Sequence, residues 1–251
     1  MPRIALVCEY DGTDFVGYQI QNNGRSVQEE LNKAVSALYK QEIKVTGCSR
    51  TDAGVHARMH VSSCDVPFVI PEDRIPLALN ALLPPDVAVR KAITVSDDFS
   101  ARFDTLGKTY IYRIYSAPVR SPLLSRYSHY VSYKLDVEAM SKAAEAFAGE
   151  HDFAAFCAAG GSQLTTIRRV NSVKVRTSAD NPNLIEIEVT GEAFLYNMVR
   201  IIAGTLLYVG MGKINPVDMP FIIESCDRKR AGKTLPPEGL TLEKVYYKAD
   251  I

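Results

Sequence analysis

Two spacings of apolar residues recur along the chain, and they define its expected elements. Apolar and polar residues that alternate are typical of strands, whereas apolar residues three and four positions apart are typical of helices. Strands are predicted at residues 3–10, 43–46, 56–64, 87–95, 109–116, 167–176, 184–190 and 245–248. Helices are predicted after Ser26, at residues 75–82, after Asp136, at residues 193–209 and from Asn215. Strands and helices are therefore interleaved along the whole chain.

The helix starts carry recognisable capping residues. Ser26 is followed three positions later by Glu29, which is the spacing of a capping box. Asp136 is an N-cap residue ahead of an apolar face. Asn215 and Pro216 combine an N-cap with a proline in the first turn. These residues predict where the helices begin.

The two halves of the chain show a loosely similar order of elements, without a residue-level repeat. The segment at residues 120–122 is the expected linker, which divides the chain into residues 1–118 and 119–251. This order predicts an α+β fold of two similar halves that share a mostly antiparallel sheet, with helices packed on one face. The other face of such a sheet is free for a large ligand.

Composition restricts the classes of partner and compartment. The chain is 47% hydrophobic, which indicates a globular protein with a proper core. Lys plus Arg and Asp plus Glu are equal at 29 each, so any RNA site must be a local patch. The five cysteines are scattered without a Cys-x-x-Cys pair, which favours a reducing cytoplasm. The N-terminus is expected to be a strand, not a signal peptide, and the longest apolar run, residues 201–209, is too short to cross a membrane.

The segment at residues 47–57 carries the main candidate chemistry. Arg50 and Asp52 are two positions apart, so on extended backbone both side chains leave the same face. The arginine favours the ionised form of the carboxyl group, which suits a nucleophile or a general base. The same residues also fit an ordinary turn, in which Gly54 adopts a positive φ. The residues alone leave both interpretations open.

Residues 50–57, Arg-Thr-Asp-Ala-Gly-Val-His-Ala, resemble the active-site motif of the tRNA pseudouridine synthase A family. The resemblance implies that Asp52 is the catalytic residue. Residues 10–19 are similar to the opening segment of the same family. The chain differs from the usual family residues at the following positions: Tyr18 in place of Trp, Ser49 in place of Gly, and Met59 and His60 in place of Gly and Gln.

Two further motifs of the family match in order along the chain. In the Lys-Thr-Tyr segment, the resemblance implies that Tyr110 stacks on the target base and that Lys108 contacts the substrate. Periodicity alone makes Tyr110 a core residue of a strand. Residues 194–200 resemble the segment whose arginine lies beside the catalytic Asp, so Arg200 is the implied partner of Asp52. Without the resemblance, an arginine in an apolar helix is expected to reach solvent or a carboxylate.

The last motif, at residues 232–240, resembles a loop whose apolar residue packs against the uracil, and Leu235 is that residue here. Ahead of it, residues 228–230 form a basic run that is typical of a solvated surface. Together with Arg168, Arg169 and Lys233, this run could form a stripe that contacts phosphates.

The resemblance implies an isomerase that converts uridine to pseudouridine in the anticodon arm of tRNA, with the site in a cleft between the halves. Such an enzyme acts as a homodimer, outside membranes, and needs no metal or cofactor. The target base leaves the stack, Arg50 helps to fill its place, and Asp52 attacks the sugar or the base or takes a sugar proton.

Three alternatives come from other classes. Paired α+β halves also occur in RNA-binding modules without catalysis, and an aspartate nucleophile also occurs in hydrolases. A metal site is disfavoured because residues four apart on a strand lie about 13 Å apart. Its candidate ligands are Cys48, His56, His60 and Cys64.

Overall fold

The structure is a computed structural model, and it describes residues 1–161, 164–248 and 251. Its strands are β1 (Arg3–Tyr10), β2 (Thr46–Gly47), β3 (His56–Asp65), β4 (Val87–Val95), β5 (Gly107–Ser116), β6 (His129–Val131), β7 (Gly149–Asp152), β8 (Ile167–Thr177), β9 (Leu184–Gly191) and β10 (Leu240–Tyr246). Its α-helices are α1 (Val27–Tyr39), α2 (Arg74–Asn80), α3 (Val137–Ala144), α4 (Met198–Gly210) and α5 (Met219–Glu224). Helices combine with mostly antiparallel strands, so the predicted α+β class is confirmed.

The chain forms two compact units. The first comprises residues 1–106 and 241–251, and the second comprises residues 107–240. The predicted division into residues 1–118 and 119–251 stays a prediction about two functional halves. In this division into compact units, β5 lies in the second unit, and most of β10 lies in the first.

In the first unit the strand order is β4-β1-β3-β10, with β2 paired to β3. Strand β1 pairs antiparallel with both of its neighbours, whereas β10 runs parallel to β3 with Thr241 opposite His56. The helix α1 begins as predicted, because the Ser26 hydroxyl accepts the Glu29 N–H at 3.3 Å. Side chains of the sheet and of both helices are fully buried in the core, including Ile4, Leu6, Leu31, Ile75 and Leu79.

In the second unit the order β5-β9-β8-β7 is antiparallel throughout, and β6 pairs parallel with β5. The Asp136 carboxylate caps α3 by accepting the Ala139 N–H at 2.9 Å, as predicted. The helix α4 is buried along most of its length. Three aromatic rings fill the core near α3, with the Phe147 centroid 5.1 Å from that of Phe156 and 6.5 Å from that of Phe153.

One predicted strand is mostly absent, for a reason visible in the hydrogen bonds. The alternation at residues 43–46 predicts a strand, but the described strand β2 contains only Thr46 and Gly47. The backbone N–H of Val45 donates to the Asn32 side chain at 2.8 Å, and that of Ile43 donates to the Ser36 hydroxyl at 2.9 Å. Side chains of α1 thus satisfy the backbone that a strand partner would otherwise bind.

Two predicted helices start later than expected. The helix predicted at residues 193–209 begins at Met198, because Asn197 has a left-handed φ of 59° that the helix does not continue through. Asn215 caps only the 3-10 turn Pro216–Asp218, and α5 follows it. Among the described residues, no helix is both long enough and apolar enough to cross a membrane.

Candidate active site

Asp52 lies on a tight turn that leads into β3. The Val55 N–H donates to the Asp52 carbonyl at 3.1 Å, and Gly54 has a φ of 77°. The turn interpretation is therefore correct for the backbone, while the side chain of Asp52 remains half-buried at the surface of the turn. A turn of fixed shape holds a carboxylate in one place, so the two interpretations of this segment are compatible.

The segment before α1 fixes this turn from outside. Gly17 and Asp52 form an isolated antiparallel bridge, and the Tyr18 N–H donates to the Thr51 carbonyl at 3.1 Å. Gly17 has a φ of 121°, and a Cβ there would lie 2.7 Å from the Thr51 oxygen. Only glycine allows the two segments to approach this closely. The opening segment and the Asp52 motif are therefore one structural unit.

The side chains around Asp52 alternate as extended backbone requires. Thr51 is 7% exposed and points inward, where its hydroxyl is 2.8 Å from the Tyr10 hydroxyl. Its neighbours Arg50 and Asp52 are exposed and half-buried respectively. This pattern agrees with the expectation that Arg50 and Asp52 share a face. The role of Arg50 toward an extruded base stays a prediction.

One position at which the motifs depart from the usual family residues, His60, contacts two others, Tyr18 and Ser49. The His60 ring stacks on the Tyr18 ring with centroids 4.0 Å apart. His60 Nε2 lies 3.1 Å from the Ser49 carbonyl oxygen, and the Tyr18 hydroxyl lies 2.8 Å from that of Ser62. A ring pair thus supports the backbone that leads to Asp52. In the sequence these three unusual residues are far apart, and their spacing does not indicate that they form one cluster.

A second buried histidine fixes the other end of the turn. Nδ1 of His56 accepts the Gly12 N–H at 3.0 Å, and the ring is 3% exposed. A Cβ on Gly12 would lie 2.0 Å from the Val55 carbonyl oxygen, so the two backbones are in direct contact. Across the part of the chain that the structure describes, no group of three His, Cys, Asp or Glu residues is arranged to hold a metal ion.

In the second unit, Arg200 lies in the first turn of α4 and its side chain is half-buried. Its Nε donates to the Leu235 carbonyl at 2.7 Å, and its Nη1 donates to the Asn197 side chain at 2.6 Å. In return, the Leu235 N–H donates to the Arg200 carbonyl at 3.3 Å. The guanidinium is therefore held in a fixed orientation by two groups.

Leu235 supports this arrangement through its backbone. Its side chain is fully buried, and a Cβ on Gly204 would lie 3.4 Å from it. The Tyr112 hydroxyl donates to the next carbonyl along the chain, that of Pro236, at 2.8 Å. Contact between the Leu235 side chain and a uracil stays a prediction. In the free chain, Leu235 orients Arg200.

Tyr110 and Lys108 lie on β5, and their side chains share a face because they are two positions apart. Tyr110 is 7% exposed, and its ring meets that of Phe194 edge to face with centroids 5.2 Å apart. Lys108 is half-buried. The strand prediction for this segment is confirmed, and the base-stacking role of Tyr110 stays a prediction.

In the basic stripe predicted from the sequence, some side chains are exposed and others donate to groups of the chain itself. Arg168 is half-buried, and its Nη1 donates to the Thr165 carbonyl at 2.9 Å and to the Ile167 carbonyl at 2.6 Å. Lys233 is exposed and stays a candidate for contact with phosphate. The other exposed cations of the stripe are Arg169, Lys229 and Arg230.

Comparison with known proteins identifies the class to which this fold and these motifs belong. The family model for tRNA pseudouridine synthase matches residues 6–104 and 143–248, which include both the Asp52 turn and Arg200. The chain therefore belongs to the tRNA pseudouridine synthase family, and it is an isomerase that converts uridine to pseudouridine.

Individual proteins named tRNA pseudouridine synthase A are similar to this chain over nearly its whole length. The tRNA pseudouridine synthase A of Ruminiclostridium cellulolyticum is 47% identical over 247 residues, covering 98% of this chain and 100% of that protein. The tRNA pseudouridine synthase A of Caldicellulosiruptor bescii is 46% identical over the same shares of the two chains. That of Bacillus subtilis is 43% identical, covering 98% of this chain and 99% of the relative.

Proposed function

We propose that the chain isomerises uridine to pseudouridine in the anticodon stem-loop of tRNA, with Asp52 as the catalytic carboxylate. The observation that carries the proposal is the bridge between Gly17 and Asp52, which fixes a half-buried carboxylate on a rigid turn. Catalysis needs the reacting group in one defined position, and a turn held by two segments provides it.

The target uridine must leave the stack before the carboxylate can act, because the glycosidic bond of a stacked base is not accessible. Extrusion costs a few kcal/mol and is easiest in or near a loop. This cost is compatible with the anticodon arm, which ends in a loop, and the choice of that arm rests on the family resemblance. Arg50 then occupies the space that the base vacates, and Tyr110 stacks on the uracil through its flat π surface.

The reaction breaks the bond from C1′ to N1 of the uracil and forms a bond from C1′ to C5. Three roles fit a fixed carboxylate: attack on the sugar, attack on the base, or removal of a sugar proton. In each case the uracil turns within the site, the proton on C5 passes to water, and N1 receives a proton. The product is an isomer of the substrate, so the balance needs no oxidant, reductant or hydrolytic water. The proposal accordingly includes no metal and no cofactor.

The remaining parts of the proposal rest on the family resemblance. Arg200 is proposed to favour the ionised form of Asp52, because an arginine beside a carboxylate lowers its pKa. Lys108, Arg168, Lys233 and Leu235 are proposed to contact the substrate. The enzyme is proposed to act in the cytoplasm as a homodimer, in which two copies present more basic surface to one tRNA despite the net charge of zero.

A tritium-release assay tests the proposal. Transcript tRNA with uridine tritiated at C5 releases label to water when C5 becomes the attachment point. We expect release by the native chain, and a loss of about four orders of magnitude or more in Asp52→Asn with tRNA binding intact. Asp73→Asn is the matched control, because the Asp73 side chain, just before α2, is 74% exposed and makes no side-chain cap.

The site within tRNA is tested with a second set of transcripts. Replacing the uridines of the anticodon arm by cytidine should abolish release, whereas replacing uridines in other arms should not. Release that persists in Asp52→Asn would show that another group is catalytic. Binding without any release by the native chain would favour a non-catalytic RNA-binding protein.

A further inference from the structure

Arg228 begins the exposed basic run at residues 228–230, yet its side chain points into the protein. Its Nη1 donates to the Gly232 carbonyl at 2.8 Å, and its Nη2 donates to the Thr234 hydroxyl at 3.1 Å. The next two residues of the run, Lys229 and Arg230, are exposed. One guanidinium therefore closes the short loop of residues 232–236, which we call the Leu235 loop.

The Leu235 loop is also fixed from the side of α4. The Gly232 N–H donates to the Thr205 hydroxyl at 2.8 Å, and this fully buried hydroxyl donates to the Ile201 carbonyl at 2.8 Å. A Cβ on Gly204 would lie 1.8 Å from the Lys233 carbonyl oxygen, so the loop backbone rests directly on the helix. A small displacement of the loop thus cannot be absorbed by empty space.

The far end of the same loop holds Arg200. The Leu235 carbonyl accepts from Arg200 Nε at 2.7 Å, one residue after the Thr234 hydroxyl that Arg228 binds. The two arginines therefore bind adjacent residues of one short backbone segment. Loss of the Arg228 contacts should free the segment whose carbonyl sets the direction of the Arg200 side chain.

We propose that Arg228 is a positioning residue, which orders the Leu235 loop so that Arg200 takes its active orientation, and that it does not bind a phosphate of tRNA. This inference rests on the proposed function, since it takes Arg200 to be part of the reacting site. Two of the guanidinium nitrogens are occupied by acceptors within the chain, and the fork of donors matches their spacing. A lysine ammonium is a single point charge and cannot reproduce both contacts with the same geometry.

Kinetics as a function of salt distinguish positioning from phosphate binding. Loss of one phosphate contact lowers the slope of log affinity against log salt concentration by about one. Loss of a positioning residue does not change that slope. In Arg228→Lys, which keeps the positive charge, we expect kcat to fall about tenfold to a hundredfold with KM as in the native chain. In Arg228→Gln, which removes the charge, we expect kcat to fall at least as far while the salt slope of KM stays as in the native chain. In Arg230→Gln, the exposed control in the same run, we expect a higher KM and a shallower salt slope instead.

Hydrogen exchange provides a readout that does not depend on activity. Amides of residues 232–236 should exchange about tenfold faster or more in Arg228→Lys, with no change in α1 or β8. Thr234→Val removes one acceptor at nearly constant volume, and the same faster exchange is expected in it. This variant replaces Arg228→Lys in the test if Arg228→Lys folds poorly. The double variant Arg228→Lys with Arg200→Lys should be no slower than Arg200→Lys alone, because the two residues act in one chain of contacts.

Either of two results would overturn the inference: loop exchange in Arg228→Lys as in the native chain, or a shallower salt slope in Arg228→Gln with kcat retained. Failure of the proposed function gives a different pattern. In that case Asp52→Asn keeps its activity, while the exchange rates of the Leu235 loop still report whether Arg228 orders it.

Discussion

The imidazole ring of His60 lies against the phenol ring of Tyr18, with centroids 4.0 Å apart and planes inclined by 22°. His60 is fully buried, and its Nε2 lies 3.1 Å from the carbonyl oxygen of Ser49, three residues before Asp52. The Tyr18 backbone N–H donates to the Thr51 carbonyl. The His60 ring and the Tyr18 backbone thus hold Ser49 and Thr51, which lie just before Asp52.

Substitution of His60 by leucine should destabilise the chain by about 1–3 kcal/mol, because the Ser49 carbonyl loses a partner in a buried setting. The free energy of unfolding in urea measures this change. His151→Leu is the control, since its Nε2 also lies near a carbonyl, that of Ala148 at 3.0 Å, but this contact is exposed to solvent and the residue is only half-buried. We expect that control to stay within about 0.5 kcal/mol of the native chain. Equal losses in the two variants would contradict the supporting role of the ring pair.

Gly17→Ala should lower kcat strongly, because the added Cβ would lie 2.7 Å from the Thr51 oxygen and would push the Asp52 turn away. Gly212→Ala is the matched control, since Gly212 also has a positive φ, of 70°, but a Cβ added there would meet no described residue beyond its chain neighbours within 4 Å. Both variants should lose about 1 kcal/mol or more of stability from backbone strain. Only Gly17→Ala should lose tritium release by about tenfold or more at a temperature where both are folded.

Asn197→Gly should separate stability from activity. Asn197 has a φ of 59°, which glycine adopts without strain, but its side chain accepts from Arg200 Nη1 at 2.6 Å. We expect a kcat about tenfold lower with little change in the free energy of unfolding. Lys40, with a φ of 54° after α1, gives the control. Lys40→Gly should gain up to about 1 kcal/mol in stability and keep its kcat.

Glu238 gives a dependence of stability on pH. Burial acts to raise the pKa of this carboxyl, but His129 and Arg200 favour the ionised form, and the net result is a pKa below its ordinary value of 4.5. A carboxyl whose pKa is lower in the folded state stabilises the protein above its unfolded pKa and loses that contribution as pH falls through the folded pKa. Glu238→Gln should therefore be less stable than the native chain at neutral pH, and the difference should shrink below pH 4.5.

Urea midpoints of both proteins at several pH values test this expectation. A difference that is the same at neutral and acid pH would mean that the Gln variant acts through packing alone.

The long strands and the helix caps follow from local sequence. β1, β3, β4, β5, β8 and β9 agree with the alternation of apolar residues, and Ser26 and Asp136 cap helices as predicted. The short strands β6 and β7 are not predicted, because three or four residues cannot display a period. At residues 43–46 the period is present, but Asn32 and Ser36 bind the backbone instead.

The candidate site is likewise predictable from the sequence only in part. Motifs identify Asp52 and Arg200 as candidates, because each lies within a short string of residues that can be read directly from the sequence. Their supports are contacts between residues far apart in sequence, such as His60 with Tyr18 and Tyr112 with Pro236. The inward direction of Arg228 was not predictable from a basic run that otherwise faces solvent. Such contacts depend on how the elements meet, which a single sequence does not specify.

The parallel pairing of β10 with β3 has a consequence for biosynthesis. Thr241 aligns with His56, so the first compact unit includes residues made only after the whole of the second. During translation, β3, which follows the Asp52 turn, can pair with β10 only after more than a hundred intervening residues have been synthesised. Completion of the sheet around the Asp52 turn is therefore expected to be a late step of folding, which follows synthesis of the second unit.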